Sequence, residues 1–195
     1  LESSACFTKQ IAGFTFIQNS FFSHSQALLD PTLESQRKSI VLNDCMLCSG
    51  INFNTFSEKD AILIFDSQVG IQGNTFNNIT GIAILANGQS NFREVNVNGN
   101  TFNQINGVPI WFVFGVAGTI ENNIFNHLVT LLQLDIDITN NTCISCGKSI
   151  NILNNTFNNY TVEAITYSDN SGLNIVINSN IFNALSNTSF SRAIN

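Results

Sequence analysis

Four cysteines in two Cys-x-x-Cys pairs are the residues with the most obvious chemistry in this sequence. Cys45 and Cys48 form the first pair, and Cys143 and Cys146 form the second, 98 positions later (143 − 45). A redox-active pair needs a helix amino terminus that lowers the thiol pKa, and the surrounding sequence predicts no helix. One zinc ion needs four ligands, whereas the repeat described below separates the pairs by about 19 Å, four strand spacings.

Structural disulfides remain the favoured interpretation of these pairs, ahead of buried free thiols. The expected bridges are local, Cys45 to Cys48 and Cys143 to Cys146, because the Asn and Gly residues beside each pair favour a backbone turn. Cys6 is left over, and its expected partner lies outside this sequence.

Carboxylates and histidines are the next candidates for chemistry. Asp135 and Asp137 alternate with isoleucines on a predicted strand, so both are expected to face outward. Two carboxylates can bind calcium or hydrolyse a glycoside, but a solvated strand face is the simpler interpretation. His24 and His127 have no metal-ligand spacing. We therefore predict no catalytic residue, no metal site and no cofactor.

Five Asn-x-Ser/Thr sequons predict N-linked glycans. They begin at Asn78, Asn140, Asn154, Asn159 and Asn187. Asn140 and Asn154 each stand directly before an asparagine of the repeat, so their side chains are expected to point away from the repeat array. Sequons and paired cysteines together predict a secreted or surface-exposed protein, made in an oxidising compartment.

The composition argues against two classes of partner. Charged residues are only 10% of the 195-residue chain and the net charge is −6, so the basic surface that a nucleic-acid-binding protein needs is missing. Polarity comes instead from 31 asparagines. The longest apolar run, near GVPIWFVFGVAG, is shorter than the ~20 residues that span a bilayer. We predict neither nucleic-acid binding nor a membrane span.

A repeated motif must position all these residues: apolar-x-x-Asn-x-(Phe or Cys). It matches nine places, and two of them end in cysteine, as Asn43 with Cys45 and Asn141 with Cys143. In the other seven the asparagines are Asn19, Asn54, Asn74, Asn100, Asn123, Asn155 and Asn180, and the phenylalanines are Phe21, Phe56, Phe76, Phe102, Phe125, Phe157 and Phe182.

The spacing of these motifs predicts a β-solenoid. The phenylalanines recur every 20 to 35 residues, which is typical of solenoids and propellers. Apolar residues alternate before each asparagine, a strand pattern, and there is no room for the four strands of a propeller blade. We predict an all-β, right-handed parallel β-helix of about seven coils over residues 1–195, with 22–38 as a protruding loop.

Stacked coils explain why Asn and Phe recur together. Equivalent positions lie one above another at ~4.8 Å, so the phenylalanines are expected to stack inside. The asparagines are expected at a corner, where Asn tolerates left-handed backbone and where side-chain amides can bond along the stack as a ladder.

This pattern resembles the right-handed parallel β-helix superfamily with the pectin-lyase-like fold, across nearly the whole chain. The segment TGIAIL is also similar to the Gly-Gly-Ala-Ile repeats of polymorphic-membrane-protein adhesins. For members that cut polysaccharides, the resemblance implies clustered Asp residues, or calcium with a basic Arg or Lys.

The function expected is that of a non-enzymatic structural component of an extracellular, glycosylated filament, stalk or surface coat. Its expected partner is itself, end to end or as tandem repeats, because neither end shows a recognisable cap over the strand edges. The alternative is an adhesin or carbohydrate-binding module, with Trp111, Tyr160 and Tyr167 as the candidate exposed aromatic residues. A polysaccharide lyase or hydrolase is the third possibility.

Overall fold

The computed structural model describes residues 6–9, 16–18, 21–23, 40–45, 50–57, 62–88, 93–126, 134–138, 149–160, 163–167, 174–184 and 192–194. Side chains are described from residue 40 onward, apart from those of 134, 135, 137, 192 and 193. Every regular element within these ranges is a β-strand.

The strands form three parallel sheets, named A, B and C, of eight, seven and seven strands. Sheet A contains β1 (Cys6–Lys9), β4 (Ile40–Asn43), β7 (Ile62–Phe65), β10 (Ile82–Asn87), β13 (Val108–Val113), β16 (Leu134–Ile138), β19 (Glu163–Tyr167) and β22 (Arg192–Ile194). Sheet B contains β2 (Phe16–Gln18), β5 (Gly50–Asn52), β8 (Val69–Gln72), β11 (Arg93–Asn98), β14 (Val116–Glu121), β17 (Ser149–Leu153) and β20 (Asn174–Asn178). Sheet C contains β3 (Phe21–Ser23), β6 (Thr55–Ser57), β9 (Thr75–Asn77), β12 (Thr101–Asn103), β15 (Ile124–Asn126), β18 (Thr156–Tyr160) and β21 (Ile181–Ala184).

The chain visits the sheets in the order A, B, C, and each strand pairs with the strand three places earlier and three places later. This is a parallel β-solenoid, as the repeat predicts. The sequence predicts about seven coils. The structure describes side chains in all three strands of four consecutive turns, from β4 to β15.

Rows of aliphatic side chains fill the space between the sheets. In sheet A the inner row is Ile40, Ile62, Ile84, Ile110, Ile136 and Ile165. In sheet B it is Ile51, Ile71, Val97, Ile120, Ile152 and Ile177. All are buried except the half-buried Ile177. Burying one such side chain stabilises the fold by ~1.5–3 kcal/mol, so these rows are a main source of its stability.

The corner between sheets B and C differs from the prediction in one detail. The left-handed residue is the one before the repeated asparagine, not the asparagine itself. These residues are Phe53, Gly73, Gly99, Asn122, Asn154 and Ser179, with φ between 54° and 64°. The bend at this residue allows the side chain of the following asparagine to point into the interior. At Gly73 a Cβ would lie 2.6 Å from the Phe53 ring, so a larger residue there would displace the exposed Phe53 side chain.

The first copy of the repeat is displaced by one residue from the prediction. Strand β3 pairs Phe22, not Phe21, with Phe56, and β2 pairs Ile17 with Ile51. Phe21 therefore aligns with the Thr55 row, and Asn19 lies outside the described residues. The doublet Phe21–Phe22 offers a phenylalanine in either frame, although only Phe21 has an asparagine two residues before it. A slip of one residue exchanges the two faces of a strand.

The cysteine-ended match at Asn43 belongs to a different corner. Asn43 ends β4 in sheet A, where its register partner is Phe65, and Cys45 follows at the corner between sheets A and B. The spacing of this match resembles that of the repeat. In the next turn, however, the residue that bonds to Cys45 at this corner is Ser67, whose hydroxyl accepts a hydrogen bond from the Cys45 main-chain N–H at 2.9 Å. The second such match, at Asn141, lies outside the described residues.

The predicted loop over 22–38 begins too early, because Phe22 and Ser23 belong to β3. The rest of that segment lies outside the described residues. In the part of the chain that is described, no helix is long and apolar enough to cross a membrane.

Candidate functional site

A ladder of buried asparagines runs along the corner between sheets B and C, and we call it the inner ladder. Its described members are Asn54, Asn74, Asn100, Asn123, Asn155 and Asn180. At each step, the side-chain Nδ2 and the main-chain N–H of one asparagine both donate to Oδ1 of the next, at 2.8–3.0 Å. The second Nδ2 hydrogen is donated to a sheet B carbonyl of the previous turn, as from Asn100 to Ile71 at 2.9 Å.

The inner ladder satisfies polar groups that would otherwise be buried without partners. Asn100 and Asn155 are completely buried, and Asn54, Asn74 and Asn123 are nearly so. A buried amide without partners costs ~1–3 kcal/mol. Because each amide bonds to the turns on both sides, an isolated turn cannot satisfy it. The polar corner therefore couples each turn to its neighbours.

The phenylalanine stack lies beside this ladder. It comprises Phe56, Phe76, Phe102, Phe125, Phe157 and Phe182. Successive ring centroids are 4.8–5.0 Å apart and the planes differ by at most 9°. The first five rings are completely buried. The predicted inner position of these six phenylalanines is confirmed, and the spacing matches that of neighbouring strands.

A second ladder, which the repeat motif does not predict, lies on the outer face of sheet C. This outer ladder consists of Asn77, Asn103, Asn126, Asn158 and Asn183. The Nδ2 group of each donates to Oδ1 of the member in the previous turn, at 2.8–2.9 Å. The sequence contains the information, since an asparagine follows the phenylalanine in each of these copies.

The described sequon asparagines face solvent. Asn78, Asn154 and Asn159 are all exposed and all have positive φ, whereas Asn155, the neighbour of Asn154, is fully buried in the inner ladder. This is the alternation that the sequence predicts for Asn154. Asn140 and Asn187 lie outside the described residues, and glycan attachment at all five remains a prediction.

Only one cysteine side chain is described. Cys45 is buried and disulfide-bonded, and its carbonyl accepts from the Gln68 N–H at 2.8 Å. Cys48, Cys143 and Cys146 lie outside the described residues, and for Cys6 only the main chain is described. The pairings within the two motifs therefore stay predictions.

The acidic pair that could bind a metal lies on strand β16, as expected. Ile136 and Ile138 are buried in that strand, while the side chains of Asp135 and Asp137 are not described, and His24 and His127 lie outside the described ranges. Among the residues that are described, no group of three His, Cys, Asp or Glu side chains could hold a metal ion.

The three aromatic candidates for a carbohydrate surface are not equivalent. Tyr160 is buried, packs edge-on against Phe182 with ring centroids 6.3 Å apart, and has a pKa raised by burial. It is therefore unavailable to a ligand, contrary to the prediction. Trp111 is half-buried on the outer face of sheet A, and Tyr167 is exposed.

Comparison with known proteins assigns no family to this chain. A scan against protein-family models, a search of curated proteins and a search of solved structures each found no match.

Proposed function

We propose that the chain is a non-enzymatic structural element of a secreted, glycosylated filament, stalk or surface coat. The observation that carries the proposal is that the inner ladder and the phenylalanine stack run along the solenoid axis through every turn with described side chains. Each of these interactions joins one turn to the next, so adding turns adds stability in the way expected of repeat arrays.

The sheet geometry supports the finer relationship to the right-handed, pectin-lyase-like β-helices. Parallel strands joined by crossovers are right-handed in ~98% of known cases. The exposed sequon residues Asn78, Asn154 and Asn159 support a location outside the cell, since attached glycans would project from the sides of the rod and limit lateral association.

Electron microscopy and fibre diffraction of the purified chain, over a concentration series, test the proposal. We expect rods that lengthen with concentration and a meridional repeat of ~4.8 Å, the spacing of parallel strands. Discrete particles of constant length at every concentration would contradict a filament.

A further inference from the structure

Three Asn-Gly dipeptides lie in the solenoid, and the structure surrounds each of them differently. They are Asn87–Gly88, Asn98–Gly99 and Asn106–Gly107. Asparagine is among the thermolabile residues of proteins, because the main-chain nitrogen of the next residue can attack its side-chain carbonyl carbon. A following glycine has no Cβ to hinder this approach. Differences in reactivity among the three dipeptides must therefore come from the fold around them.

Asn98 is held on both sides of the bond that would react. Its Nδ2 donates to the Glu121 carboxylate at 2.9 Å, and its Oδ1 accepts from Asn122 at 3.2 Å. The main-chain N–H of Gly99 donates to the Glu121 carbonyl at 3.0 Å. Attack would require this nitrogen to leave its acceptor while the side-chain amide turns away from two partners, so the stacked turns protect Asn98.

Asn87 is protected by the packing of the glycine that follows it. Gly88 is buried, and its N–H donates to the Val113 carbonyl at 3.3 Å. A Cβ at Gly88 would lie 2.7 Å from the carbonyl oxygens of Phe114 and Gly115, so the main chain of the next turn lies directly against it. The Asn87 Oδ1 is buried as well. Water and hydroxide therefore have poor access to the reacting groups.

Asn106 lies at the corner between sheets C and A, and its surroundings are different. Its side chain is exposed, and its main-chain N–H is anchored to the Ile79 carbonyl at 2.6 Å. Within the described residues, neither its side-chain amide nor the Gly107 N–H has a hydrogen-bond partner. No contact in that part of the chain holds the two reacting groups apart.

The fold also explains why a glycine stands at position 107. A Cβ there would collide with the Gly81 carbonyl oxygen of the previous turn, and this oxygen belongs to the main chain and cannot swing aside. The close approach of the two turns therefore demands glycine directly after Asn106, so the reactive dipeptide is a consequence of the stacking.

We propose that Asn106 is a site of spontaneous deamidation, which converts it to aspartate and isoaspartate while Asn87 and Asn98 persist. Hydroxide removes the Gly107 N–H proton, and the nitrogen forms a bond to the Asn106 Cγ. The Cγ–Nδ2 bond breaks, and Nδ2 takes up a proton from water and leaves as ammonia. Water then opens the cyclic imide at either carbonyl, so neither an oxidant nor an enzyme is required.

Both products change the corner between sheets C and A. Each adds a negative charge to a chain whose net charge is already −6. Isoaspartate also lengthens the main chain at the point where Gly107 lies against Gly81, so its formation should lower the midpoint of thermal unfolding as the protein ages.

Peptide mapping by mass spectrometry tests the proposal on the full chain, incubated in its folded state at mildly alkaline pH. Asn106 should convert at least about tenfold faster than Asn87 and Asn98, since hydrogen bonds at those two positions must break before attack. The same chain unfolded in guanidinium chloride is the control. Without a fold to protect them, the three dipeptides should convert at similar rates.

Comparable rates at the three positions in the folded chain, or a slower rate at Asn106 than at Asn98, would overturn the proposal. Asn106→Gln should remove most of the isoaspartate that the folded chain forms, because the longer side chain closes its ring far more slowly. The matched control Asn98→Gln should leave that isoaspartate in place. An undiminished yield from Asn106→Gln would show that the product arises elsewhere. Circular dichroism checks that every sample stays folded during incubation.

Discussion

Asn100 lies in the middle of the inner ladder and is hydrogen-bonded to the turns on both sides. Its Oδ1 accepts from the main-chain N–H and Nδ2 of Asn74, and its own Nδ2 donates to Asn123 and to the Ile71 carbonyl. Replacing it with leucine leaves two or three buried groups without partners. We expect Asn100→Leu to lower the free energy of unfolding by roughly 2–9 kcal/mol, at ~1–3 kcal/mol for each group.

Urea unfolding measures this loss, and Asn103→Leu is the matched control. Asn103 belongs to the half-buried outer ladder, where water can replace its hydrogen bonds. A loss below ~1 kcal/mol is expected there. Equal losses at the two positions would mean that burial of the inner ladder contributes nothing.

Which residues share a row was predictable from spacing alone, whereas the backbone conformation at the corner was not. Six asparagines and six phenylalanines recur in one frame, and the structure places all of them as predicted. The left-handed position before the asparagine is occupied by Phe, Gly, Asn or Ser. No common residue type marks it, because the strain is imposed by the stacked turns and not by local preference.

At the scale of one strand, β12 shows how an inward and an outward residue differ. Phe102 is completely buried between Phe76 and Phe125, with centroids 4.8 and 4.9 Å away. Truncation removes ring contacts with both neighbouring turns and leaves a cavity that rigid strands cannot collapse. Phe102→Ala should therefore cost ~3–5 kcal/mol.

The neighbouring Thr101, half-buried on the outer face, supplies the control on the same strand. Thr101→Ala should cost less than ~1 kcal/mol, the range of β-propensity. Thermal unfolding compares the two variants. A loss below 1 kcal/mol for Phe102→Ala would show that the inward face of sheet C has been misassigned.

The register of a strand was less predictable from the sequence than the presence of the strand. The sequence predicts a strand before each repeated asparagine, but in the first turn its motif selects Phe21, where β3 aligns Phe22 with the phenylalanine row. The local pattern favours the Phe21 frame, because an asparagine stands two residues before Phe21 and a serine two residues before Phe22. Pairing with the next turn, which puts Ile17 beside Ile51, selects the other frame.

At the scale of the whole molecule, exposure of the sequons predicts where glycans attach. Asn78, Asn154 and Asn159 are exposed on the sides of the solenoid, so modification should not disturb the stack. Mass spectrometry of protein secreted from a glycosylating host should find glycans at these three positions. Asn155, which is buried and lacks a sequon, should be unmodified. Secreted protein with all three sites bare would remove the main support for an extracellular, glycosylated rod.

The two asparagine ladders run in opposite directions, and this has an electrical consequence. In the inner ladder the Nδ2–H that joins one asparagine to another points toward the later turn, through five successive bonds. In the outer ladder each points toward the earlier turn, through four. Peptide dipoles aligned along a helix add to about half an elementary charge at each end, and strands crossing the axis contribute little. Here the antiparallel amide rows largely cancel, so lengthening the solenoid builds up almost no macrodipole, and neither end gains a field that would attract or repel ions as turns are added.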